Sequence, residues 1–316
     1  MVSQIIVPLD SSTRAEAILP HACALARATG STITLLRVIT PVEASQNMLW
    51  LTTAPAALRD QWEANTLLRI KTYLAAVAER LRADDVPLHT RILRSDDVAA
   101  AIVRYAHEQS ALTCIAMATH ARSGVEQFFL GSVAHAVLGT ATAPLFLVRT
   151  VDACAPGLDQ ITYRTIAVPL DSSAFAAQAL PHAQALATTL GAAVVLVAAV
   201  PPVDDTGLDE ARLEPYWTLA EAQAEVQGVT QSLQRVADQL HAEGVTVRVK
   251  VVADTPAQAI LNACAEEHAD LLVMATHGRG GLGRVLLGSV ATDVLQHTTV
   301  PILLIRPQLP PDSENS

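Results

Sequence analysis

DLLVMATHGRGGLGRVLLGSVATDVLQHTTVPILLIR, residues 270–306, is the stretch that decides the fold of this chain. An apolar segment with strand character (270–275) leads into a glycine-rich turn, a helical pattern and a second strand (300–305). This order forms a βαβ unit. Glycine takes positive φ without strain and lets an anion approach the backbone amides. Gly288-Ser289 falls where the helix would begin, so the unpaired amides and the helix dipole would face the same anion. The stretch therefore predicts a phosphate cradle.

The chain repeats itself, and the repeat defines its domains. VPLDSS occurs at 7–12 and again at 168–173, an offset of 161 residues. MATH (117–120 and 274–277) and GSV (131–133 and 288–290) recur at an offset of 157, so the second copy is four residues shorter in its middle. Repeats of this length are duplicated domains rather than solenoid units. The predicted domains are residues 1–150 and 163–307.

Each copy alternates strands with helices. In the first copy the pattern predicts strands at 4–8, 32–38, 86–93, 112–118 and 144–148, and helices at 12–29, 65–83, 98–109 and 132–140. Strands as apolar as VVLVAAV (194–200) are typical of parallel sheets that are buried on both faces. Pro20 and Pro181 lie inside the first predicted helix of their copies, which predicts a bend there because proline removes a helical hydrogen bond.

The predicted fold class is α/β, with two tandem doubly wound, Rossmann-like domains, each built on a five-stranded parallel sheet. The strand order 3-2-1-4-5 places strands 1 and 4 side by side, and ligands bind beyond the carboxyl ends of those strands. The residues at these ends are Pro8 to Asp10 with Ala118 to Ala121 in the first copy, and Pro169, Leu170 and Asp171 with Ala275 to Gly278 in the second. We expect one ligand crevice per domain.

Composition excludes several classes of protein. With 316 residues, 51% hydrophobic and 16% charged, the chain can bury a large core. Residues 1–156 hold 13 Lys and Arg against 13 Asp and Glu, and the remainder holds 8 against 18, for a net charge of −10. Neither half has the basic stripe of a nucleic-acid binder. The four cysteines form no CxxC pair, which argues against a zinc or redox motif.

The sequence predicts a cytoplasmic protein without membrane segments. The first 30 residues lack the basic start, long apolar run and cleavage site of a secretory signal. The most membrane-like stretch, residues 190–200, is far shorter than the roughly 20 residues that span a bilayer. A buried parallel strand explains it better.

These residues resemble the universal stress protein family in its tandem two-domain form, over about residues 2–149 and 163–306. ATP-binding members of that family carry G-x2-G-x9-G-[ST] after strand 4 and an aspartate at the end of strand 1. The matching positions are Ala275, Gly278, Gly288, Ser289 and Asp171 in the second copy, and Ala118, Ala121, Gly131, Ser132 and Asp10 in the first. The second copy departs at one glycine and the first at two, so the first nucleotide loop is the more degenerate.

The resemblance implies ATP as the ligand, together with Mg²⁺. Asp171 would face the adenosine end, and the backbone near Ala199 would face the adenine, with Val38 at the corresponding place in the first copy. Gly278, Gly288 and Ser289 would face the phosphates. Pro169, Leu170 and Val290 complete the contacts expected in the second copy. Arg279 is favoured as a phosphate contact because it is one of two basic residues in the loop, with solvated surface charge as the alternative.

Other interpretations of these residues stay open. Asp10 and Asp171, each followed by two serines, could simply cap a helix. His120 and His277 fit a turn histidine bonded to backbone better than a metal or acid-base group. Gly278-x-Gly280-x-x-Gly283 matches the dinucleotide fingerprint, but it does not follow the first strand, and the Walker pattern is absent.

Three functions follow from this sequence. The first is a cytoplasmic stress-response protein that binds ATP and uses the bound state to control interactions with other proteins. The second is a slow ATPase or nucleotide-transfer enzyme that uses the same crevice. The third is an interaction module that has lost nucleotide binding, which the alanine substitutions favour. No nucleophile and base can be paired in either crevice, so the site is predicted to bind rather than to turn over.

Assembly is predicted within one chain. The last strands, PLFLVR (144–149) and PILLIR (301–306), would otherwise be exposed apolar sheet edges. In the family that the chain resembles, this strand joins two domains, so the two copies are expected to pair as an intramolecular pseudo-dimer, with a further homodimer left open. The loops after strand 2, at 39–64 and 201–217, are predicted to form a lid or a partner surface. The alternative is that Trp50, in the first loop, packs on its own domain.

Overall fold

The structure is a computed structural model that describes residues 2–41, 43, 55–82, 86–109, 112–120, 131–150, 161–202, 219–276 and 287–306. Within these residues the chain divides into two compact units, with the division between Thr162 and Tyr163. We call them unit 1 and unit 2. None of the described helices is both long enough and apolar enough to cross a membrane.

Unit 1 is a five-stranded parallel sheet with helices between the strands. Its elements are β1 (Gln4–Pro8), α1 (Thr13–Glu16), α2 (Leu19–Thr29), β2 (Thr32–Ile39), α3 (Ala56–Leu81), β3 (Leu88–Arg94), α4 (Val98–Glu108), β4 (Thr113–His120), α5 (Ser132–Thr140) and β5 (Leu145–Thr150). The strand order is β3-β2-β1-β4-β5, and the neighbours pair in parallel. The first strand therefore lies between the second and the fourth.

Unit 2 repeats this architecture. Its elements are β6 (Thr165–Pro169), α6 (Ala174–Ala177), α7 (Leu180–Leu190), β7 (Ala193–Val200), α8 (Leu219–Ala242), β8 (Val247–Ala253), α9 (Pro256–Glu266), β9 (Leu271–Ala275), α10 (Ser289–His297) and β10 (Ile302–Ile305). The order β8-β7-β6-β9-β10 again places the first strand of the copy beside its second and fourth. The predicted α/β class with strand order 3-2-1-4-5 is confirmed in each unit. The pairing of the two units into a pseudo-dimer stays a prediction.

The core of each unit is the apolar sheet itself. Ile5, Ile6 and Val7 of β1 are fully buried, and Val194, Val195 and Leu196 of β7 are equally inaccessible. Consecutive residues of a strand point to opposite faces of the sheet. Consecutive burial therefore shows that both faces are covered, as expected for parallel sheets.

The single bent helix predicted around each early proline is wrong. In unit 1 the chain forms two helices, with α1 ending at Glu16 and α2 beginning at Leu19. Pro20 has no N–H to donate to the Glu16 carbonyl four residues earlier, so α1 stops at that residue. Pro181 separates α6 from α7 in the same way, since α6 ends at Ala177. Each proline then lies in the first turn of the next helix, where its missing N–H has no partner to lose.

Two element boundaries also differ from the prediction. Helix α3 begins at Ala56 rather than Asn65, because Pro55 precedes a run of good helix formers that the prediction had assigned to the loop. The predicted loop of residues 39–64 is therefore shorter, and Trp50 lies outside the described residues. Strand β4 continues to His120 rather than ending at Ala118, because it stays paired with β5 as far as Thr150.

Glycines end the second helix of each unit, and their effect on stability can be predicted. Gly30 and Gly191 have φ of 66° and 65°, the left-handed conformation in which a side chain is strained. A Cβ at Gly191 would meet no atom within 4 Å, so only the backbone opposes a side chain there. We expect Gly191→Ala to lower the free energy of unfolding by about 1 to 2 kcal/mol in denaturant titrations.

Gly228 is the matched control. It lies inside α8, and a Cβ there also meets no atom within 4 Å. Gly228→Ala is expected to raise the free energy of unfolding by about 0.5 to 1 kcal/mol, because alanine loses less backbone entropy in a helix. Two substitutions that shift stability in the same direction would contradict this account.

Candidate functional site

A turn that begins with aspartate follows the first strand of each unit. In unit 2 the Asp171 Oδ1 atom accepts hydrogen bonds from the Ser173 amide (3.1 Å) and the Ser173 hydroxyl (2.5 Å). In unit 1 the Ser12 amide donates to Asp10 Oδ1 at 2.9 Å. The serine between the two partners has a positive φ in both units, 69° in the first and 60° in the second. An aspartate that bonds to the backbone two residues later forms an Asx turn, so each carboxylate is fixed at the end of its strand.

Neither aspartate caps a helix. The N-cap residues are Ser12 and Ser173, whose hydroxyls accept from the amides of Ala15 (3.1 Å) and Ala176 (3.0 Å). The alternative that the two aspartates cap a helix is therefore wrong. Each serine lies three residues before the amide that it accepts from, so its hydroxyl pairs with one of the N–H groups that have no partner within the helix.

A backbone carbonyl near the carboxyl end of the second strand points toward the end of the first strand, which the aspartate follows. In unit 1 the Leu9 amide donates to the Leu36 carbonyl (2.8 Å), and the Ser95 amide donates to the Ile39 carbonyl (3.1 Å). Because successive carbonyls of a strand point to opposite sides, those of β2 point alternately toward β1 and toward β3. The Val38 carbonyl therefore points toward the β1 side of β2, as the Leu36 carbonyl does. Since β1 has ended at Pro8, that carbonyl points into the crevice beyond β1.

Unit 2 has the same geometry at Ala199. The Leu170 amide donates to Val197 (2.8 Å) and the Asp254 amide to Val200 (3.1 Å). The Ala199 carbonyl therefore points beyond the end of β6, on the side where Asp171 follows the strand. Pro169 pairs with Val197 in the register and Leu170 makes the last contact between the two strands. The structure brings the strand-1 and strand-2 residues of the predicted site together.

The fourth strand and the helix after it complete the edge. The predicted helix start is confirmed, because α10 begins at Ser289 with Gly288 as its N-cap, and no side chain of the described residues caps it. The first copy matches this, with Gly131 preceding Ser132 at the start of α5. A Cβ built on Gly131 would meet no atom of the described residues within 4 Å. Val290 lies in the first turn of α10.

The loop between β9 and α10 lies outside the described residues, and Gly278 and Arg279 lie within it, as does His277. Ala121 is likewise outside. Ala118 is in β4, and Ala275 is the last residue of β9, where it pairs with Ile305 of β10. The predicted roles of these residues in ligand binding stay predictions.

A buried arginine lies where that loop begins, and sequence reasoning missed its importance. Arg306 is only 7% exposed, and its Nη1 atom donates to the Thr276 hydroxyl at 3.4 Å. Among the described residues, its Nε and Nη2 atoms have no hydrogen-bond partner. Burial lowers the pKa of Arg306 to about 10, which leaves the guanidinium charged at neutral pH. A buried cation with unused donors favours an anionic group nearby.

A second arginine distinguishes the two units. Arg37 of β2 is 8% exposed, its Nη1 atom donates to the Val38 carbonyl at 2.8 Å, and its Nη2 atom donates to the Glu43 carboxylate. Unit 2 has Ala198 at the corresponding place. The sequence carried a signal that went unused, an arginine within the otherwise apolar strand TITLLRVI.

The charge of Arg37 also acts on Asp10. Partial burial raises the pKa of the Asp10 carboxyl, but the Ser12 hydroxyl and amide, together with the Arg37 guanidinium, favour its ionised form. The net effect is a pKa below the usual value for aspartate. Asp10 is therefore a carboxylate at neutral pH.

A surface groove on the outer helices of unit 2 holds a cysteine, a histidine and an aspartate, but not an activated nucleophile. Cys264, Asp293 and His297 line this groove of about 390 Å³ between α9 and α10. Burial raises the pKa of the Cys264 thiol to about 12, so it keeps its proton. His297 Nδ1 lies 2.9 Å from Asp293 Oδ1. In the described part of the chain, no three His, Cys, Asp or Glu side chains are grouped to hold a metal ion.

Comparisons with known proteins agree with this architecture. The sequence model of the Universal stress protein family matches residues 1–149 and 162–306. A universal stress protein of Mycolicibacterium smegmatis is 26% identical over 311 residues, which cover 96% of this chain and 97% of that protein. One from Methanocaldococcus jannaschii is 31% identical over 144 residues, covering 46% of this chain and 82% of that protein.

A solved structure shares the fold of the whole chain. The crystal structure of a universal stress protein from Archaeoglobus fulgidus has a TM-score of 0.68 at 19% identity and covers 96% of this chain and 98% of that one. Two family matches account for both repeats, and both units have the strand order 3-2-1-4-5. The chain belongs to the universal stress protein family, with two such domains in tandem.

Proposed function

We propose that unit 2 binds ATP as its magnesium complex, and that this cytoplasmic stress-response protein uses the nucleotide-bound state to control its interactions with other proteins. The observation that carries the proposal is the carboxyl edge of unit 2. There the Ala199 carbonyl and the Asp171 carboxylate lie beyond the end of β6, and the amino end of α10, which no described side chain caps, follows the neighbouring strand β9. Such an edge is where doubly wound domains bind their ligands.

Each of these groups suits one part of an adenine nucleotide. A backbone carbonyl accepts from the exocyclic amino group of adenine, and a carboxylate accepts from ribose hydroxyls. The amides and dipole at the amino end of α10 attract phosphate. The carboxylate of Asp171 is already fixed by Ser173, so its orientation costs little entropy on binding.

The buried guanidinium of Arg306 supports the anionic end of this ligand. Its Nη1 atom donates to Thr276, the last described residue before the glycine-rich loop, and its Nε and Nη2 atoms have no partner among the described residues. A polyphosphate near that loop would compensate the charge. Magnesium would be bound chiefly by the phosphate oxygens, as is usual for this ion, which needs few protein ligands.

The test is direct. Purified protein is denatured, the released small molecules are identified by mass spectrometry, and ATP binding is titrated by calorimetry with and without Mg²⁺. One ATP bound per chain is expected, without steady phosphate release. A protein that carries no nucleotide and gives no heat with ATP would contradict the proposal, and phosphate release over many turnovers would favour a slow ATPase.

The glycine-rich loop gives a prediction that rests on sequence alone, since Gly278 and Ala121 are outside the described residues. Glycine at 278 leaves its amide open to a phosphate, whereas alanine adds a Cβ and disfavours positive φ. Gly278→Ala is expected to weaken ATP binding to unit 2 by about 1 to 2 kcal/mol, roughly five- to thirtyfold. Calorimetry measures the change, and an unaltered affinity would show that the loop does not contact the phosphates as predicted.

A further inference from the structure

We propose that Arg37 closes the crevice of unit 1 to adenine by occupying the carbonyl that an adenine ring would need, so that the two units of this chain are unequal. This inference rests on the proposed function. Its basis is a contact that unit 1 has and unit 2 lacks. The Arg37 Nη1 atom donates to the Val38 carbonyl at 2.8 Å, whereas Ala198 has only a methyl group at the same place.

The carbonyl in question points into the crevice. Val38 lies one residue before the end of β2, and its carbonyl faces beyond β1, as the Leu9 to Leu36 hydrogen bond establishes. Ala199 of unit 2 faces the same way, as the Leu170 to Val197 hydrogen bond establishes. The two units therefore offer the same acceptor at the same edge. Among the described residues, only in unit 1 does a neighbouring side chain donate to this carbonyl and fill one of its two acceptor positions.

The arginine is held firmly in this position. Its Nη2 atom also donates to the Glu43 carboxylate, and the whole residue is only 8% exposed. A hydrogen bond from a charged donor is roughly twice as strong as one between neutral groups. The neutral amino group of adenine is therefore a weak competitor for the Val38 carbonyl. Expelling the guanidinium would also separate it from Glu43, leaving charges without partners.

The charge of Arg37 also acts on the aspartate of unit 1, which is exposed to solvent. Arg37 helps to keep Asp10 ionised, and Ser12 donates to its carboxylate. Asp10, Arg37 and Glu43 together carry one net negative charge, and a nucleotide that displaced Arg37 would remove the cation from both carboxylates. This contribution is independent of Ala121.

The experiment isolates unit 1 by removing the site in unit 2. In an Asp171→Ala background, calorimetry with MgATP is expected to show binding about 10- to 150-fold weaker than that of the natural chain. Adding Arg37→Ala, which copies Ala198, is expected to raise the affinity of the remaining site at least tenfold. Arg37→Met keeps the side-chain stem without the guanidinium and covers the case in which the alanine variant folds poorly. Arg94→Ala is the control, because Arg94 is an exposed residue of β3 that pairs with Glu63 of α3. It should not raise the affinity for ATP.

The reciprocal change tests unit 2. Ala198→Arg in the otherwise natural chain is expected to weaken ATP binding at least tenfold. The inference is overturned if the natural chain binds one ATP, Asp171→Ala weakens that binding at least tenfold, and neither Arg37 variant raises the affinity in this background although both are folded by circular dichroism. It is also overturned if the natural chain binds two ATP molecules with equal affinity. A natural chain that binds no ATP at all would instead refute the proposed function.

Discussion

Asp171→Ala is expected to reduce ATP binding by the natural chain about 10- to 150-fold, the equivalent of roughly 1.5 to 3 kcal/mol for hydrogen bonds to a charged group. The Asp171 carboxylate is held at the end of β6 by the amide and hydroxyl of Ser173. Removing it takes away the acceptor for the ribose and also the anchor of the turn. Calorimetric titration with MgATP measures the change.

Asp10→Ala is the matched control, since Asp10 occupies the same place in unit 1. It should alter ATP affinity by less than about twofold, because unit 1 is expected to contribute little binding. Asp171→Asn separates the two roles of the aspartate. The asparagine oxygen can still accept from the Ser173 amide and hold the turn, but it lacks the charge, so an intermediate affinity is expected. Equal losses from Asp10→Ala and Asp171→Ala would contradict the assignment of ATP to unit 2.

Much of the fold was predictable because its signals are local and repeated. Strand β1 was predicted with the observed bounds, as was helix α5, since apolar runs and a Gly-Ser start mark them. The prediction of one bent helix at each early proline was wrong because the effect of a proline depends on its position in the helix. A proline in an interior turn bends a helix, whereas the four residues of α1 leave room for a new helix to begin at Leu19.

The candidate site was predictable in outline but not in detail. The topology alone puts Asp171 and Ala199 at one edge, because strands 1 and 2 of a doubly wound sheet are neighbours. That the aspartates bond to a serine rather than cap a helix depends on turn geometry. The contact between Arg37 and the Val38 carbonyl depends on one rotamer, and sequence spacing does not reveal rotamers.

The inequality of the units suggests how a tandem chain can separate two tasks. Unit 1 has the same sheet, Asx turn and helix start as unit 2. It differs from unit 2 in the ion pair between Arg37 and Glu43. Under the proposed function, one unit would respond to nucleotide while the other stays constant. Partner binding that varies with ATP is then expected to depend on Asp171 and not on Asp10.

Acid is expected to destabilise the protein through two histidines at equivalent positions of the LPHA repeats, His21 and His182. His21 is partly buried, with its ring centroid 6.4 Å from that of the fully buried Phe146. Burial lowers the pKa of His21 to about 4 and also lowers the pKa of His182. In the unfolded chain a histidine has a pKa of about 6.5. As the pH falls from 6.5 toward 4, the unfolded chain therefore binds protons that the folded chain resists, and the free energy of unfolding falls.

The histidine contribution can be separated from that of the carboxylates by substitution. Between pH 7 and pH 4.5, His21 alone should account for a loss of about 2 kcal/mol, allowing for its partial exposure to solvent. His21→Gln is neutral throughout this range, so the variant should lose less stability than the natural chain by that amount, as measured in urea titrations at both pH values. His241→Gln, at an exposed position of α8, is the control and should follow the natural chain. If His21→Gln and the natural chain lost stability in parallel, charging of His21 would not be the cause of acid sensitivity.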